Sequence, residues 1–479
     1  MFILRKLVFA VILSTVPGIA LAQTPPSVTI LRVDAQQTPE LRDQVSALAA
    51  RRGVGSVRVA DVSVQALRNA EIGQVLNIQL APNRQVSAQA LSLVPGSGER
   101  SIWTGEISGT DEFPPGLATL VLNGDNVTGS VRTPDGQLYR LRPLGNGQTA
   151  IIEMDYARMP QDHPPEISPD RDDSGGNDTG NGGLRPQRLD SPRIDPQRLQ
   201  QRRVPQGTRA IETPTPQLRA LPGRRIDPQL LQRVERPAFT RLEARHQDWT
   251  DLISVLVIPT IDVLVAYTED AELVSGDIEA LIDLAIAETN ASFMNSGVWA
   301  RVRLAGTMRV NYNESGRSYT TIRDHLVSRG DVYLSRVHRR RNRTNADVVA
   351  LIIDQDDYCG KAGGIGVDEE DAFTVVHWDC ATGYYSFGHE IGHLLGARHD
   401  IDTDDTDTPY DYGHGFRYPR NSGGWRTIMA YNCASDRCKP RLQYWSNPNV
   451  EYNRIDMGSA DQNNRRVWNN EAERLADFR

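Results

Sequence analysis

Three histidines and one glutamate stand close together between positions 389 and 399, in the pattern H-E-x-x-H-x-x-G-x-x-H. His389 and His393 are four residues apart, so a helix would place both imidazoles on one face. Gly396 can adopt a positive φ and end the helix, after which the chain could turn back and bring His399 to the same point. Glu390 lies beside the histidines, where a general base is needed.

This spacing predicts a catalytic zinc site rather than a structural one, because three neutral imidazole ligands leave a fourth coordination position open. The alternative is a buried amphipathic helix with incidental histidines. The chain contains nine histidines, and three of them stand at ligand spacing in this motif, which favours the metal site. The predicted cofactor is Zn²⁺, with His389, His393 and His399 as ligands and Glu390 as the catalytic base.

The residues around the motif predict an α/β (α+β) domain over residues 248–479, with a twisted sheet and the zinc helix at Thr382–Ala397. Apolar runs predict its strands at Ile261–Tyr267, Val302–Tyr312, Ala346–Ile353 and Phe373–Trp378. Apolar residues at helical spacing predict helices at Asp277–Ser296, Ile322–Leu326 and Val332–Val337.

The N-terminal part of the chain predicts a separate β-rich domain over residues 23–156. It contains neither histidine nor cysteine, so no catalytic constellation is evident in it. Its predicted strands are short, valine-rich runs at Ser27–Val33, Val54–Val64, Val75–Leu80, Ala118–Leu122, Val127–Val131, Gln137–Leu141 and Thr149–Met154.

Residues 1–22 predict a secretory signal peptide. Arg5 and Lys6 precede the apolar run Leu7–Val16, and Ala20 and Ala22 give the small-x-small pattern of a cleavage site. The apolar run is too short to span a bilayer. We therefore expect secretion to the extracellular space, directly or through the periplasm, and no membrane anchor.

Residues 157–247 predict a flexible linker rich in proline, glycine and arginine. The net charge of the whole chain is −8, yet residues 184–245 carry 14 arginines and only six acidic residues, a net charge of +8. A basic segment can bind nucleic acid. We interpret this one as a solvated linker and predict no nucleic-acid partner; the protein is expected to be a monomer.

The four cysteines fit an exported protein, because disulfides persist in oxidising compartments. Cys359, Cys380, Cys433 and Cys438 allow three pairings, and the sequence alone does not decide between them. We favour Cys433–Cys438, which closes a short loop, together with Cys359–Cys380.

The segment Thr427-Ile428-Met429-Ala430-Tyr431 completes a resemblance to the metzincin family of zinc metalloproteases, in which the long zinc motif is followed by a methionine in a tight turn. The resemblance implies that Met429, 30 residues after His399, forms an apolar base beneath the metal. Asp400 is similar to the adamalysin (reprolysin) branch, in which its carboxylate is buried and tied to the Met-turn. Tyr431 is similar to the astacin branch, in which it reaches the zinc or the reacting carbonyl oxygen.

The segments Cys359–Gly366, Val375–Cys380 and Tyr444–Pro448 resemble bacterial secreted peptidyl-Asp metalloendopeptidases. That resemblance implies cleavage of protein or peptide substrates on the amino side of Asp or Glu, which needs a fixed cation in the substrate pocket. The candidate cations lie near the Met-turn, and each is alternatively a surface charge: Arg426, Arg437, Lys439 and Arg441.

The resemblance also implies that the enzyme is made as an inactive precursor. No cysteine precedes position 359, so a cysteine cannot block the zinc from the N-terminal side. Asp155, Asp162 and His163 are the candidate blocking ligands, and simple occlusion of the cleft is the alternative.

Two further features near the zinc motif are less informative. The acidic residues of Asp402–Asp407 could hold calcium through oxygen ligands, or form a solvated acidic loop. His414 is interpreted as structural.

As other functions we consider a secreted adhesion or binding protein acting through the β-rich domain, and an inactive homologue, which the intact motif disfavours.

Overall fold

Alternating apolar and polar residues give the N-terminal region nine strands that close into a barrel. The computed structural model describes residues 28–33, 38–109, 115–163 and 258–479, so the predicted signal peptide and most of the predicted linker lie outside the described residues. The strands are β1 (Val28–Val33), β2 (Val54–Val62), β3 (Val75–Ala81), β4 (Arg84–Pro95), β5 (Ser101–Ile107), β6 (Gly116–Asn123), β7 (Asn126–Arg132), β8 (Leu138–Gly145) and β9 (Gln148–Met154).

The barrel is mostly antiparallel, with strand order β1-β2-β9-β8-β7-β6-β5-β4-β3. It closes through a parallel pairing of β3 with β1. Apolar side chains fill its interior, and Trp103 is fully buried there. Gly105 leaves the space that this indole needs, because a Cβ at position 105 would lie 2.2 Å from the Trp103 ring.

The prediction of a β-rich N-terminal domain is confirmed, but several of its elements were missed or misplaced. Strands β4 and β5 and the helices α1 (Pro39–Ala49) and α2 (Val64–Arg68) were not predicted. The predicted strand Val54–Val64 ends at Val62, because the chain turns at Ser63 into α2. The predicted linker starts too early, since Met159 and Asp162 are buried.

The C-terminal domain is built on a five-stranded sheet of order β11-β10-β12-β14-β13. The first four strands are parallel, and β13 is an antiparallel edge strand. Alternate residues of β10 pack into apolar clusters on the two faces of the sheet. Its strands are β10 (Thr260–Thr268), β11 (Arg301–Val310), β12 (Val348–Ile353), β13 (Gly360–Ala362) and β14 (Phe373–His377).

Helices cover both faces of this sheet, as expected for a sheet whose central strands are buried on both sides. Short hairpins follow the zinc motif. The helices are α3 (Glu269–Ser275), α4 (Ile278–Ser296), α5 (Tyr319–Val327), α6 (Ser335–Thr344), α7 (Trp378–Ala381), α8 (Ser386–Leu395) and α9 (Asn464–Ala476), and the hairpin strands are β15 (Arg417–Tyr418), β16 (Trp425–Arg426), β17 (Asn447–Tyr452) and β18 (Ile455–Met457).

The α/β prediction for this domain is confirmed, with corrections at helix ends. The zinc helix was predicted at Thr382–Ala397, but α8 is shorter. Gly383 and Tyr385 have φ of +69° and +65°, and this left-handed backbone interrupts the helix between α7 and α8. The helix predicted at Val332–Val337 starts later, at Ser335, because the Asp331 carboxylate caps the backbone ahead of it.

Two disulfides brace the domain. Cys359 is joined to Cys380 and Cys433 to Cys438, which is the pairing favoured from the sequence. The first links the start of the edge strand β13 to α7, and the second closes the loop after Tyr431. Among the described residues, no helix combines the length and apolar character needed to cross a membrane.

The barrel packs directly on the C-terminal domain. Met154, Tyr156 and Met159 belong to an apolar cluster that also contains Tyr384 and the Cys359–Cys380 disulfide. Ion pairs accompany this contact. Arg140 lies 2.7 Å from Asp379, and Arg100 lies 2.7 Å from Asp283. The contact therefore combines apolar burial with charge pairing, and it lies close to the N-terminal end of α8.

Candidate metal centre and active site

The three histidines of the motif converge on one point. The Nε2 atoms of His389 and His393 are 3.1 Å apart, and that of His399 is 3.2 Å and 3.1 Å from them, respectively. His389 and His393 project from the same face of α8, and Gly396 ends the helix with φ of +109°. A Cβ at position 396 would lie 2.7 Å from Pro409, so this sharp exit needs glycine.

Hydrogen bonds fix the orientation of two of these imidazoles. His389 Nδ1 donates to the carbonyl of Ile428 at 3.0 Å, and His393 Nδ1 donates to the carbonyl of Ala397 at 2.8 Å. Burial lowers the pKa of all three histidines, which favours the neutral imidazole. The Nε2 atoms of His389 and His393 therefore carry lone pairs that face each other.

These nitrogens suit a zinc ion. Two lone pairs that face each other at 3.1 Å in a buried site cannot form a hydrogen bond, so a shared cation would satisfy them. Zinc–nitrogen bonds of about 2.0–2.1 Å at tetrahedral angles separate the nitrogens by roughly 3.3 Å, close to the separations found here. The donor set and its burial thus fit the metal that the motif predicts.

Glu390 lies next to the histidines and is buried. Gly360 of the edge strand makes room for it, because a Cβ at that position would lie 2.4 Å from Glu390 Oε1. This oxygen has no hydrogen-bond partner among the described residues. Burial, together with the nearby charge of Asp162, raises the pKa of Glu390 well above its usual range. Such a carboxylate is suited to accept a proton.

Met429 packs closely against α8. It is fully buried, and a Cβ on Gly392 would lie 3.3 Å from its sulfur and 2.8 Å from the Trp445 ring. The residue before it, Ile428, supplies the carbonyl that binds His389. The turn therefore both packs beneath the helix and orients one of the imidazoles.

Asp400 joins the end of the zinc motif to this turn. Its buried carboxylate accepts a hydrogen bond from the backbone N–H of Tyr431 at 2.9 Å. It also lies 2.8 Å from Arg417, which neutralises its charge. The position of Tyr431 relative to the three histidines thus depends on Asp400.

Tyr431 lies at the site and contacts the segment that follows the barrel. Its ring packs on His399 with centroids 4.5 Å apart. Its hydroxyl is 2.8 Å from the carbonyl oxygens of both Asp162 and His163, and it donates its hydrogen to one of them. In this structure the hydroxyl is therefore occupied by backbone of the N-terminal region.

Residues 161–163 extend along the edge of the sheet next to the histidines. The carbonyl of Gln161 accepts from the N–H of Cys359 at 2.9 Å, and the N–H of His163 donates to the carbonyl of Gly360 at 3.3 Å. The segment thus adds to β13 by backbone hydrogen bonds, in the manner of an extended peptide that binds a sheet edge. We call residues 161–163 the blocking segment.

The carboxylate of Asp162 lies at the centre of this contact. Its Oδ2 atom is 4.0 Å from His389 Nε2, and Oδ1 accepts from the Ser386 hydroxyl at 3.2 Å. Burial raises the pKa of Asp162, but the charge and hydrogen bond of Arg441, together with the neighbouring His389 and Arg426, outweigh burial and lower the pKa. Asp162, His389 and Glu390 form a second cluster of potential metal ligands.

The other two candidate blocking ligands lie elsewhere. The Asp155 carboxylate accepts a hydrogen bond from the N–H of Ala157 in a turn. The His163 ring packs on Tyr358 and lies 3.4 Å from the Lys361 amine. Of the three residues named from the sequence, Asp162 is the one whose side chain the structure brings to the histidines.

The four candidate cations are placed very differently. Arg437 and Lys439 are exposed, whereas Arg426 and Arg441 are buried, so the surface-charge alternative is wrong for the latter two. Arg426 donates to the carbonyl of Cys438 at 2.8 Å and also to that of Lys439, so it braces a loop. Arg441 forms an ion pair with Asp162.

The acidic loop and His414 act within the fold. Asp404 pairs with Arg398 at 2.9 Å and is buried, so this carboxylate already has a cation. Asp402 lies 3.6 Å from Arg417. Within the described ranges, no group of the loop's acidic residues converges as metal ligands would. His414 Nδ1 donates to the carbonyl of His399 at 2.9 Å, which holds the third histidine's backbone in place.

Sequence reasoning missed the residues that support the site from a distance. Gly360 makes room for Glu390, Ser386 binds Asp162, and Tyr384 packs under Arg441. Asp162 and Arg441 were each named from the sequence, for latency and for substrate preference, but their pairing was not foreseen. They are 279 positions apart, and no local pattern reports such a contact.

Comparisons with known proteins agree with this site. Residues 259–446 match Reprolysin_5, metallo-peptidase family M12. The chain is 38% identical over 436 residues to the peptidyl-Asp metalloendopeptidase of Stenotrophomonas maltophilia (strain K279a), covering 88% of this chain and 86% of that one. A Xanthomonas campestris protein of the same name is 34% identical, and the match covers 96% of this chain and 94% of that one. A Pseudomonas fragi protein of that name is 57% identical over 106 residues, 22% of this chain and 67% of that one.

Proposed function

The chain belongs to metallopeptidase family M12 and is a zinc metalloendopeptidase, and we propose that it hydrolyses peptide bonds at the site formed by His389, His393, His399 and Glu390. The observation that carries this proposal is the convergence of three buried Nε2 atoms beside a buried glutamate, one oxygen of which has no hydrogen-bond partner among the described residues. Met429 packed against Gly392 of α8 also fits the metzincin family.

The three imidazoles would hold zinc, which when bound acidifies a coordinated water and polarises the substrate carbonyl. Glu390 accepts the proton of the attacking water and later passes it to the leaving amine, so it serves as base and then as acid. No side chain needs to form a covalent bond with the substrate.

Tyr431 donates a hydrogen bond to the oxygen on which negative charge develops. Its hydroxyl already donates to a backbone carbonyl at 2.8 Å beside the histidines, which is the type of contact that such a role needs. The carboxylate of Asp400 holds the Tyr431 backbone in place.

We further propose that the enzyme is made as an inactive precursor, in which residues 23–156 form a propeptide domain and the blocking segment closes the site. The carboxylate of Asp162 lies 4.0 Å from His389 Nε2, and the segment's backbone occupies the sheet edge and the Tyr431 hydroxyl. A substrate cannot use these groups until the segment leaves. The cleavage that releases it is proposed within about residues 205–250, because arginine-rich linkers are easily cut by proteases.

Secretion and substrate preference complete the proposal. The charged and apolar start of the chain supports export by a signal peptide. The relatives named peptidyl-Asp metalloendopeptidase support a preference for Asp. We propose cleavage on the amino side of Asp or Glu, as the family resemblance implies. Calcium has weaker support, since Asp404 and Asp400 are paired with arginines. An adhesion protein acting through the barrel is not proposed, because the chain is a peptidase.

The proposed function is tested by digesting an unfolded protein with the processed enzyme and sequencing the new peptide ends by mass spectrometry. New N-termini that begin with Asp or Glu, absent when a zinc chelator is added and restored by zinc, are the expected result. Cleavage that survives complete removal of the metal would contradict it.

Replacing Tyr431 by phenylalanine is expected to lower kcat about 100-fold, the lower range for loss of one donor to a developing oxyanion. The Phe ring can still pack on His399, so zinc content should be unchanged. Steady-state kinetics with metal analysis on the processed enzyme checks this. An unchanged kcat would remove Tyr431 from the mechanism and leave the role of Glu390 intact.

A further inference from the structure

A buried ion pair connects the blocking segment to the wall of the active site. Arg441 Nη1 is 3.5 Å from Asp162 Oδ1, and Arg441 Nη2 contacts Asp162 Oδ2. The side chains of both residues are 1% exposed. The same Oδ2 atom lies 4.0 Å from His389 Nε2. An acidic side chain is therefore already held beside the metal-binding histidines by an arginine.

Besides Asp162, several contacts within the C-terminal domain position Arg441. Its backbone is fixed by a bridge to Arg426, in which the N–H of Leu442 donates to the Arg426 carbonyl at 2.8 Å. Its Nη1 also donates to the carbonyl of Tyr384 at 3.2 Å. The guanidinium lies 4.2 Å from the centre of the Tyr384 ring. Because these contacts lie within the C-terminal domain, we expect the guanidinium to keep its position when the blocking segment leaves.

Departure of Asp162 leaves Arg441 in need of another anion. A buried charge without a counterion is costly, and the Tyr384 carbonyl and ring replace only part of the lost interaction. Arg426 does not neutralise it, because Arg426 is itself a cation bound to backbone carbonyls. The position vacated by Asp162 therefore favours a carboxylate over a neutral group.

Space for such a carboxylate adjoins the pair. A cavity of about 230 Å³ lies between the two parts of the protein. Residues within 156–162, including Met159 and Asp162, line one side. The C-terminal domain contributes a wall that includes Tyr384, Tyr431 and Arg441. When residues 156–162 leave, this wall borders an open pocket. The Arg441 guanidinium lies on one side of the pocket, and Tyr431 lies between the pocket and the histidines.

We propose that Arg441 is the specificity-determining residue that binds the acidic side chain of the substrate residue following the scissile bond, and that Asp162 fills this subsite in the precursor. This inference rests on the proposed endopeptidase function and deepens it. Arginine suits the task because its fork can donate two parallel hydrogen bonds to one carboxylate. One residue then serves both latency and substrate preference.

The test compares three peptides that differ only in the residue after the scissile bond, which is Asp, Asn or Ala. The enzyme is obtained by processing the expressed full chain. We expect kcat/KM to favour Asp over Asn by about 10- to 100-fold in the wild type, the range for a charge-assisted hydrogen bond. In Arg441→Gln this ratio should fall to near one.

Two further variants control the interpretation. Lys439→Gln removes an exposed cation two positions away and should keep the wild-type ratio. Arg441→Lys keeps the charge but not the fork, and should give an intermediate ratio. Thermal melting by circular dichroism checks that each variant is folded.

A second readout does not depend on turnover. In the processed Glu390→Gln enzyme, a short peptide that begins with Asp should bind at least tenfold more tightly by calorimetry than its Asn counterpart. Adding Arg441→Gln should abolish that difference. If Arg441→Gln does not fold, the Arg441→Lys variant and the binding difference in the Glu390→Gln enzyme still test the role of Arg441. The assignment is overturned if Arg441→Lys keeps the full preference for Asp over Asn. It is also overturned if the Glu390→Gln enzyme binds the Asp and Asn peptides equally.

The outcomes separate this inference from the proposed function. A wild-type enzyme that cleaves none of the peptides, and no other peptide bond, contradicts the endopeptidase proposal itself. A wild type that prefers Asp, with the preference unchanged in Arg441→Gln, overturns the role of Arg441 alone and assigns the arginine to latency only. A wild type that cleaves all three peptides equally overturns the acidic subsite and leaves the peptidase.

Discussion

Glu390→Gln is expected to lower kcat/KM of the processed enzyme by about 10⁴-fold, the upper range for general acid–base catalysis, because one residue serves both proton transfers. Glutamine has nearly the same shape but cannot accept the proton of the attacking water. The residue is buried against Gly360, where little other than an isosteric side chain fits. Kinetics with a fluorogenic peptide measures the loss.

Zinc binding separates this chemical effect from damage to the site. The three converging histidines are the proposed zinc ligands, and Glu390→Gln leaves them unchanged. The variant should therefore retain one zinc per chain by metal analysis. Glu451→Gln, which changes an exposed glutamate of β17, serves as the matched control and should keep wild-type activity. Substantial turnover in a metal-loaded Glu390→Gln enzyme would exclude Glu390 as the base.

Asp162→Ala is expected to activate the uncleaved precursor. Breaking a buried ion pair by removing one partner costs about 3–5 kcal/mol, or roughly 100- to 4,000-fold in the equilibrium between the closed and open segment. The change also removes the acceptor for Ser386 and the carboxylate beside His389. Peptidase activity of the full chain, checked by electrophoresis to be uncleaved, should rise by a similar factor. The double variant Asp162→Ala/Glu390→Gln cannot process itself during purification, and its peptidase activity gives the inactive baseline.

Two variants test whether the charge of Asp162 is responsible. Asp162→Asn keeps the shape and should also release the segment, though less than alanine. Asp155→Ala changes a carboxylate that binds only the local turn, and should leave the precursor inactive. If Asp162→Ala stays fully inactive although folded, the barrel blocks the site by occlusion alone, which was the alternative considered from the sequence.

The local part of the site could be predicted from the sequence because its geometry follows from helix periodicity. His389 and His393 share a face at a spacing of four, and Gly396 is the residue type that tolerates the φ of +109° needed to return His399. The resemblance to metzincins added Met429, Asp400 and Tyr431, which no periodicity would have selected.

The remaining parts depend on contacts between distant segments. Residues 161–163 were assigned to a flexible linker because proline, glycine and charged residues dominate that region, yet they bind the edge of β13. The start of the zinc helix was placed too early because the left-handed conformation of Tyr385 is not evident from its residue type. Strands β4 and β5 were missed because their many polar residues obscure the alternation that the barrel imposes.

X-ray diffraction from crystals of the full-length precursor, measured on both sides of the zinc absorption edge, tests the central claim most directly. We expect one anomalous peak about 2.0–2.1 Å from the Nε2 atoms of His389, His393 and His399, with the Asp162 carboxylate beside it and bound to Arg441. A peak at other residues, or zinc at the histidines with the blocking segment displaced and a water in its place, would contradict the account of a zinc peptidase held latent by Asp162.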